Sequence, residues 1–309
     1  MLESLAGFIS QFLEYLEVEK NVSPLTIRNY NHYLRRFENW LSKEVKNPSL
    51  SAITAETIRK YRVYLSRLDI GGATLSLKTQ SYHIIALRAF LKYLRKNDYE
   101  VIGPEKLDLP KAEGSSPTFL NGEQVERMLA APTLSTPRGK RDKAILELLF
   151  STGLRVSELV SLDRDKIDLD HREFGIIGKG RKPRVVFVSR RAAEYIRDYL
   201  AVREDNYKPL FISMTGKTDV VAEDEKMRLT PRSIQRMIKK YSHKIKLPVE
   251  VTPHVMRHSF ATDLLMAGAD LRSVQEMLGH KNIATTQIYT HVTNKQLREV
   301  HEAFHRGNK

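Results

Sequence analysis

Apolar residues recur at three- and four-residue spacing along much of the chain, and between residues 165 and 189 the period changes to that of strands. A chain patterned this way folds mainly into α-helix, with one small β-hairpin inserted late. Residues 1–111 read as helix throughout. Leu5, Phe8, Ile9, Phe12, Leu13 and Leu16 share one face. Ser23 and Pro24 form a cap and a first-turn proline, opening a second helix with Ile27, Tyr30, Tyr33, Leu34, Phe37 and Leu41. Thr54 opens a third helix, carrying Ile58, Tyr61 and Leu65. Gly71 and Gly72 break the chain. A fourth helix then runs from about Ser76 to Lys96.

The segment from Gly103 to Thr118 is polar and rich in breakers, and it reads as a tether. The expected organisation is a helical domain over 1–111, a linker over 112–118 and a second domain over 119–309, in keeping with a length of 309 residues. In the second domain Asn121 opens a helix, Pro132 to Lys140 reads as a basic loop, and Asp142 to Thr152 as a buried helix ending at Gly153. Ile167 to Leu169, Glu173 to Ile177 and Val185 to Val188 are strand-like. The last two flank the Gly-rich basic turn Gly178 to Arg184. Ala192 to Arg203 is a helix, Pro209 to Ile212 a short buried piece, and Ser213 to Met227 a mobile surface insertion. Thr230 and Pro231 start a helix that buries Ile234, Met237, Ile238 and Tyr241 and carries Arg232, Arg236, Lys239 and Lys240 elsewhere.

A net charge of +14 and a pI near 9.7 point to a polyanion partner, and both halves of the chain are basic. The absence of cysteine excludes disulfides, thiol catalysis and Cys-ligated zinc, and fits a cytoplasmic location. The acidic residues among the first twenty are unlike a signal peptide. No run of about 18 uncharged apolar residues offers a membrane span.

The chemistry concentrates between Thr252 and His291. Thr252 and Pro253 start a helix, so His254 and Arg257, three apart, fall on one face. A short helix over Leu271 to Leu278 ends at Gly279 and leaves His280 just past its C-terminus; Tyr289 follows nine residues later. Imidazoles and a guanidinium suit an anion with a proton to move, since arginine's rigid fork matches phosphate oxygens. A tyrosine beside such cations is a candidate nucleophile, which makes a phosphodiester the natural substrate. Upstream, Arg155 follows directly on the buried helix, and Glu158 is placed to support it.

His254-Val-Met-Arg257, Leu278-Gly-His280, Ile288-Tyr289-Thr-His291 and Thr152-Gly-Leu-Arg155-Val-Ser-Glu158 resemble, in order and spacing, the motifs of the tyrosine recombinases, or phage-integrase family, and most closely its Xer branch. The resemblance implies a helical N-terminal core-binding (SAM-like) domain and an α+β tyrosine-recombinase catalytic domain. It implies Arg155, His254, Arg257 and His280 around a scissile phosphate, Glu158 supporting Arg155, and Tyr289 forming a 3′-phosphotyrosine. A hairpin lysine would protonate the departing 5′ oxygen: Lys179 matches the motif, and Lys182 competes for the role. Arg181, Lys182, Arg184, Arg232, Arg236 and Lys239 are candidate DNA contacts. The expected partners are double-stranded DNA with a paired-arm recombination site, and further copies or a paralogue in a tetramer. The tetramer would be linked through the C-terminal helix, Lys295 to His305. A septal DNA translocase is a candidate activator. No cofactor, metal or membrane is implied.

Other readings compete. His254 and His258, and likewise His301 and His305, are four apart as in zinc sites, but no third ligand is evident and Arg257 would repel a cation. A mobile-element integrase, a type IB topoisomerase and a non-catalytic DNA-binding protein keep the same motifs or fold. Occupancy of all six motif positions speaks against the last.

Overall fold

A computed structural model describes residues 4–46, 48–109, 118–178, 183–214 and 224–279. The chain divides into two compact units, Met1–Gly114 and Ser115–Lys309.

The first unit contains α1 (Leu5–Val18), α2 (Pro24–Glu44), α3 (Ala55–Arg67) and α4 (Leu77–Lys96). Each starts on a hydroxyl cap: Ser4, Ser23, Thr54 and Ser76 accept from the backbone N–H three residues on. Leu34, Phe37 and Leu41 of α2, Tyr61 and Leu65 of α3, and Leu87, Phe90 and Leu94 of α4 meet the α1 face in one core. Aromatic rings fill its centre, with Phe12 and Phe90 5.6 Å apart and Phe37 and Tyr61 4.9 Å apart in an edge-on pair. Between α3 and α4, Gly71 and Gly72 both adopt positive φ in a tight turn closed by an Asp69–Thr74 bridge.

The second unit is built around α6 (Pro137–Thr152), preceded by α5 (Gly122–Ala130) and followed by α7 (Val156–Val160). Because α6 packs against α8 (Arg190–Leu200) and α11 (Pro253–Met266), it is buried on nearly every side. Its buried charged residues are paired inside. Arg141 holds Asp142 at 2.6 Å, with Tyr241 donating to the same carboxylate, and Lys143 holds Glu147 at 2.6 Å. The helix begins at Pro137, so residues 137–140 are its first turn and only 132–136 remain loop. Thr136 caps Gly139 N–H and Pro137 occupies the first turn, the same start as at Thr230-Pro231 and Thr252-Pro253.

Strands β1 (Glu173–Ile177) and β2 (Pro183–Phe187) pair antiparallel, with Ile176 opposite Arg184 and Phe174 opposite Val186. Ile167 to Leu169 is not a strand: it makes a single bridge, Asp168 to Glu173. The Asp168 carboxylate accepts from the N–H groups of Asp170 and His171 and folds the chain straight back into β1. The remaining helices are α9 (Asp224–Met227), α10 (Pro231–Lys244) and α12 (Leu271–Leu278). Asp224 to Met227 is thus helical, contrary to the reading of 213–227 as one irregular insertion; 215–223 lie outside the described residues. No described helix is long and apolar enough to cross a membrane.

Candidate active site

Helix α6 ends at Gly153, whose φ of 59° turns the chain sharply; its N–H bonds Leu149 O. Leu154 is thereby driven into the core, and Arg155 becomes the residue that caps α7. The backbone N–H of Arg155 donates to Oε2 of Glu158 and its Nη1 donates to Oε1, both at 2.9 Å. From β2, Arg184 donates to the same carboxylate, Nη1 to Oε1 at 3.1 Å and Nη2 to Oε2 at 2.9 Å. Each Glu158 oxygen therefore accepts two N–H groups, which fills the carboxylate's capacity. Burial alone would favour the neutral acid. The bonds from Arg184 and Arg155 prevail and hold the Glu158 carboxyl below its usual range.

On α11, the Thr252 cap and Pro253 set the first turn and deliver His254 at the surface and Arg257 into the interior. Arg257 is 5% exposed; its Nη1 donates to Gly153 O at 2.5 Å and its Nη2 to Leu278 O at 2.6 Å. One arginine thus fastens the α6–α7 turn and the end of α12 to the start of α11. Helix α12 also stops on a left-handed glycine, Gly279, with φ of 64°. Neither glycine has room for a side chain. A Cβ on Gly153 would lie 2.4 Å from the Phe260 ring, and one on Gly279 would lie 2.9 Å from Arg184 Nη1. His258 is half buried beside these groups. Burial first, then the nearness of His254 and Arg257, pushes its imidazole pKa down.

The structure brings together Arg155, Glu158, Arg184, Arg257 and the Gly279 turn. Arg232, Arg236 and Lys239 are exposed on α10, with Lys239 within 3.4 Å of Glu250. Lys179, Arg181, Lys182, His280 and Tyr289 lie outside the described residues, as does the C-terminal helix expected over Lys295 to His305 with its histidine pair. The double grip of Arg184 on Glu158 was not anticipated from the sequence. Its signal was the two-residue period of the strand, which puts Arg184 on the same side as the buried Val186 and Val188 and opposite the exposed Val185 and Phe187.

Residues 118–296 match the phage integrase family, and residues 9–98 match the phage integrase N-terminal SAM-like domain. The chain is 38% identical to a tyrosine recombinase XerC of Oceanobacillus iheyensis over the full length of both. It is 34% identical to a tyrosine recombinase XerD of Halalkalibacterium halodurans, covering 98% of this chain and 99% of that one. Among solved structures it resembles the XerH site-specific recombinase bound to a palindromic difH substrate, with TM-score 0.70 and 25% identity over 95% of this chain and 84% of that one. The chain belongs to the phage integrase family and is an Xer-like site-specific tyrosine recombinase, an enzyme that cleaves and rejoins DNA.

Proposed function

We propose that Arg155, Lys179, His254, Arg257, His280 and Tyr289 form one centre that exchanges DNA strands through a 3′-phosphotyrosine, with Glu158 holding Arg155. The observation that carries this reading is Arg257. By bonding Gly153 O and Leu278 O, it gathers three segments that are far apart in sequence: the one ending in Arg155, the one carrying His254, and the one leading to His280. Two guanidiniums and two imidazoles around a phosphodiester stabilise the extra charge of a pentacoordinate phosphate in advance of the reaction. The Tyr289 phenol oxygen attacks phosphorus as His254 takes its proton, and the 5′ oxygen leaves with a proton from Lys179. The 5′ hydroxyl freed in a partner duplex then attacks the phosphorus of this Tyr289–DNA link, joins the two strands and releases the Tyr289 phenol. The phosphodiester's energy stays in the protein–DNA link, so the cycle balances without nucleotide or metal.

In this reading both units bind double-stranded DNA. Arg181, Lys182, Arg232, Arg236 and Lys239 contact the duplex. Four copies, or two copies each of this chain and a paralogue, assemble on a paired-arm site by exchanging the helix Lys295 to His305. The biological role is cytoplasmic resolution of chromosome or plasmid dimers, with a septal DNA translocase as activator. Full-length similarity to XerC and XerD supports that role over a mobile-element integrase.

The test is a duplex nicked beside the scissile phosphate, which lets the cleaved end diffuse away and traps the covalent product. Wild-type protein should accumulate the adduct and Tyr289→Phe none. An adduct that survives Tyr289→Phe removes Tyr289 from the mechanism. A two-site assay then distinguishes recombination from simple relaxation of supercoils.

A further inference from the structure

We propose that Arg184 is a positioning residue: it joins the β-hairpin to the Arg155 segment and to the Gly279 turn, and so fixes how Arg155 meets the scissile phosphate. This rests on the reading above, in which Arg155 binds that phosphate.

A DNA-contacting arginine on a hairpin presents its fork to solvent. Arg184 turns inward instead, with its side chain 11% exposed and both terminal nitrogens on Glu158. Its register explains the direction, because it stands opposite Ile176, whose side chain is buried. The guanidinium also lies across the face of Gly279. A Cβ built on that residue would be 2.9 Å from Nη1, 3.2 Å from Cδ and 3.3 Å from Cζ. One side chain therefore touches both Glu158 and the turn that follows α12, and links each to the hairpin that leads back to Lys179.

Glu158 makes this linkage matter for chemistry. Its Oε1 is shared between Arg155 Nη1 and Arg184 Nη1, so the carboxylate cannot swing without carrying Arg155 with it. Removing Arg184 leaves a buried carboxylate with half its donors, free to rotate or to take up a proton. Either change releases the Arg155 fork from its orientation. A displacement of about 1 Å in a group that stabilises a transition state costs on the order of 100-fold in rate, although nothing in contact with the DNA has been removed. Lysine cannot substitute, because a single ammonium does not reproduce two parallel N–H bonds to one carboxylate.

The experiment uses the full-length chain and a duplex selected from random sequence by covalent trapping on the wild-type protein, then rebuilt with a nick beside the cleaved phosphate. Binding is read by fluorescence anisotropy, and single-turnover cleavage is read at saturating DNA across pH, with thermal melts confirming that each variant is folded. Arg184→Gln should bind within about twofold of wild type yet cleave about 100-fold more slowly, with the acid limb of its pH profile moved to higher pH as Glu158 becomes easier to protonate. Arg184→Lys should stay at least about tenfold slow. A folded Arg184→Gln that cleaves within about threefold of wild type overturns the proposal. So does one that loses affinity together with about one unit of salt slope, the behaviour of a phosphate contact. Should Arg184→Gln not fold, Arg184→Lys decides alone: a wild-type rate overturns the proposal. Wild-type protein that never forms a covalent adduct refutes the recombinase centre itself; a normal adduct with a normal Arg184→Gln rate refutes only the positioning role.

Discussion

Replacing Gly153 with alanine puts the turn between α6 and α7 to the test. Its φ of 59° is left-handed, which costs an alanine about 1–2 kcal/mol. The new methyl would also stand 2.4 Å and 2.9 Å from two Phe260 ring carbons and 3.0 Å from Leu278 Cδ2, side chains that are buried and packed on each other. Such overpacking costs about 1–3 kcal/mol. Together the loss is about 2–5 kcal/mol, which for a unit of this size lowers the melting temperature by roughly 5–15 °C. The strain also reaches the site, because Gly153 O accepts from Arg257 and Leu278 O accepts from the same guanidinium. Cleavage of the nicked duplex should fall at least about tenfold at a temperature where the variant is fully folded. Adding Phe260→Leu should recover the steric part of the stability loss and leave the left-handed part. Guanidinium titration with two spectroscopic probes would measure the difference. A loss under about 1 kcal/mol with undiminished cleavage would refute the idea that this glycine is required by a left-handed, closely packed turn.

Arg257→Lys keeps a cation but cannot bridge two carbonyls, so it should destabilise the second unit by about 2–4 kcal/mol and abolish covalent trapping; a stable, active variant would show that the bridge is dispensable. Thr136→Ala removes the cap of the central helix and should cost about 1 kcal/mol by chemical denaturation, whereas no change would mean that Pro137 alone sets the start. In the first unit, buried His83 contacts Thr79 O at 2.9 Å and Arg36 at 3.4 Å. Burial pushes its pKa down; the contact with Thr79 opposes this, and the nearby Arg36 and His32 add to it. A depressed folded-state pKa means that the folded chain binds fewer protons than the unfolded one. The stability contribution is therefore complete above about pH 6.5 and is lost as pH falls through the lower folded value. The full chain should melt earlier at pH 5.5 than at 7.5, and His83→Gln should shrink that difference; an unchanged difference would assign it to other groups.

The helices of the first unit were legible because each announces itself twice, by a hydroxyl cap and by an apolar face, and the two signals agree to within a residue at Ser23, Thr54 and Ser76. The start of α6 was missed for the opposite reason. Charged residues fill its first turns, so the cap at Thr136 stood without a visible apolar face. Those charges are acceptable only because partners bury with them, which no local window reveals. The same limit governs the site. Spacing identified Arg155, Glu158 and Arg257 as residues of interest, because Arg155 follows directly on a buried helix with Glu158 three residues on, and Arg257 shares a helix face with His254. Spacing could not say that Arg257 would close on carbonyls 104 and 21 residues away, nor that Arg184 would reach Glu158 from 26 residues downstream. Those contacts depend on how α11, α12 and β2 pack around α6. Loosening that packing without touching any motif, for example by Leu149→Ala in the middle of the core, should therefore slow cleavage as well as lower stability. A variant that lost stability yet cleaved at the full rate while folded would show that the site keeps its geometry by local contacts alone.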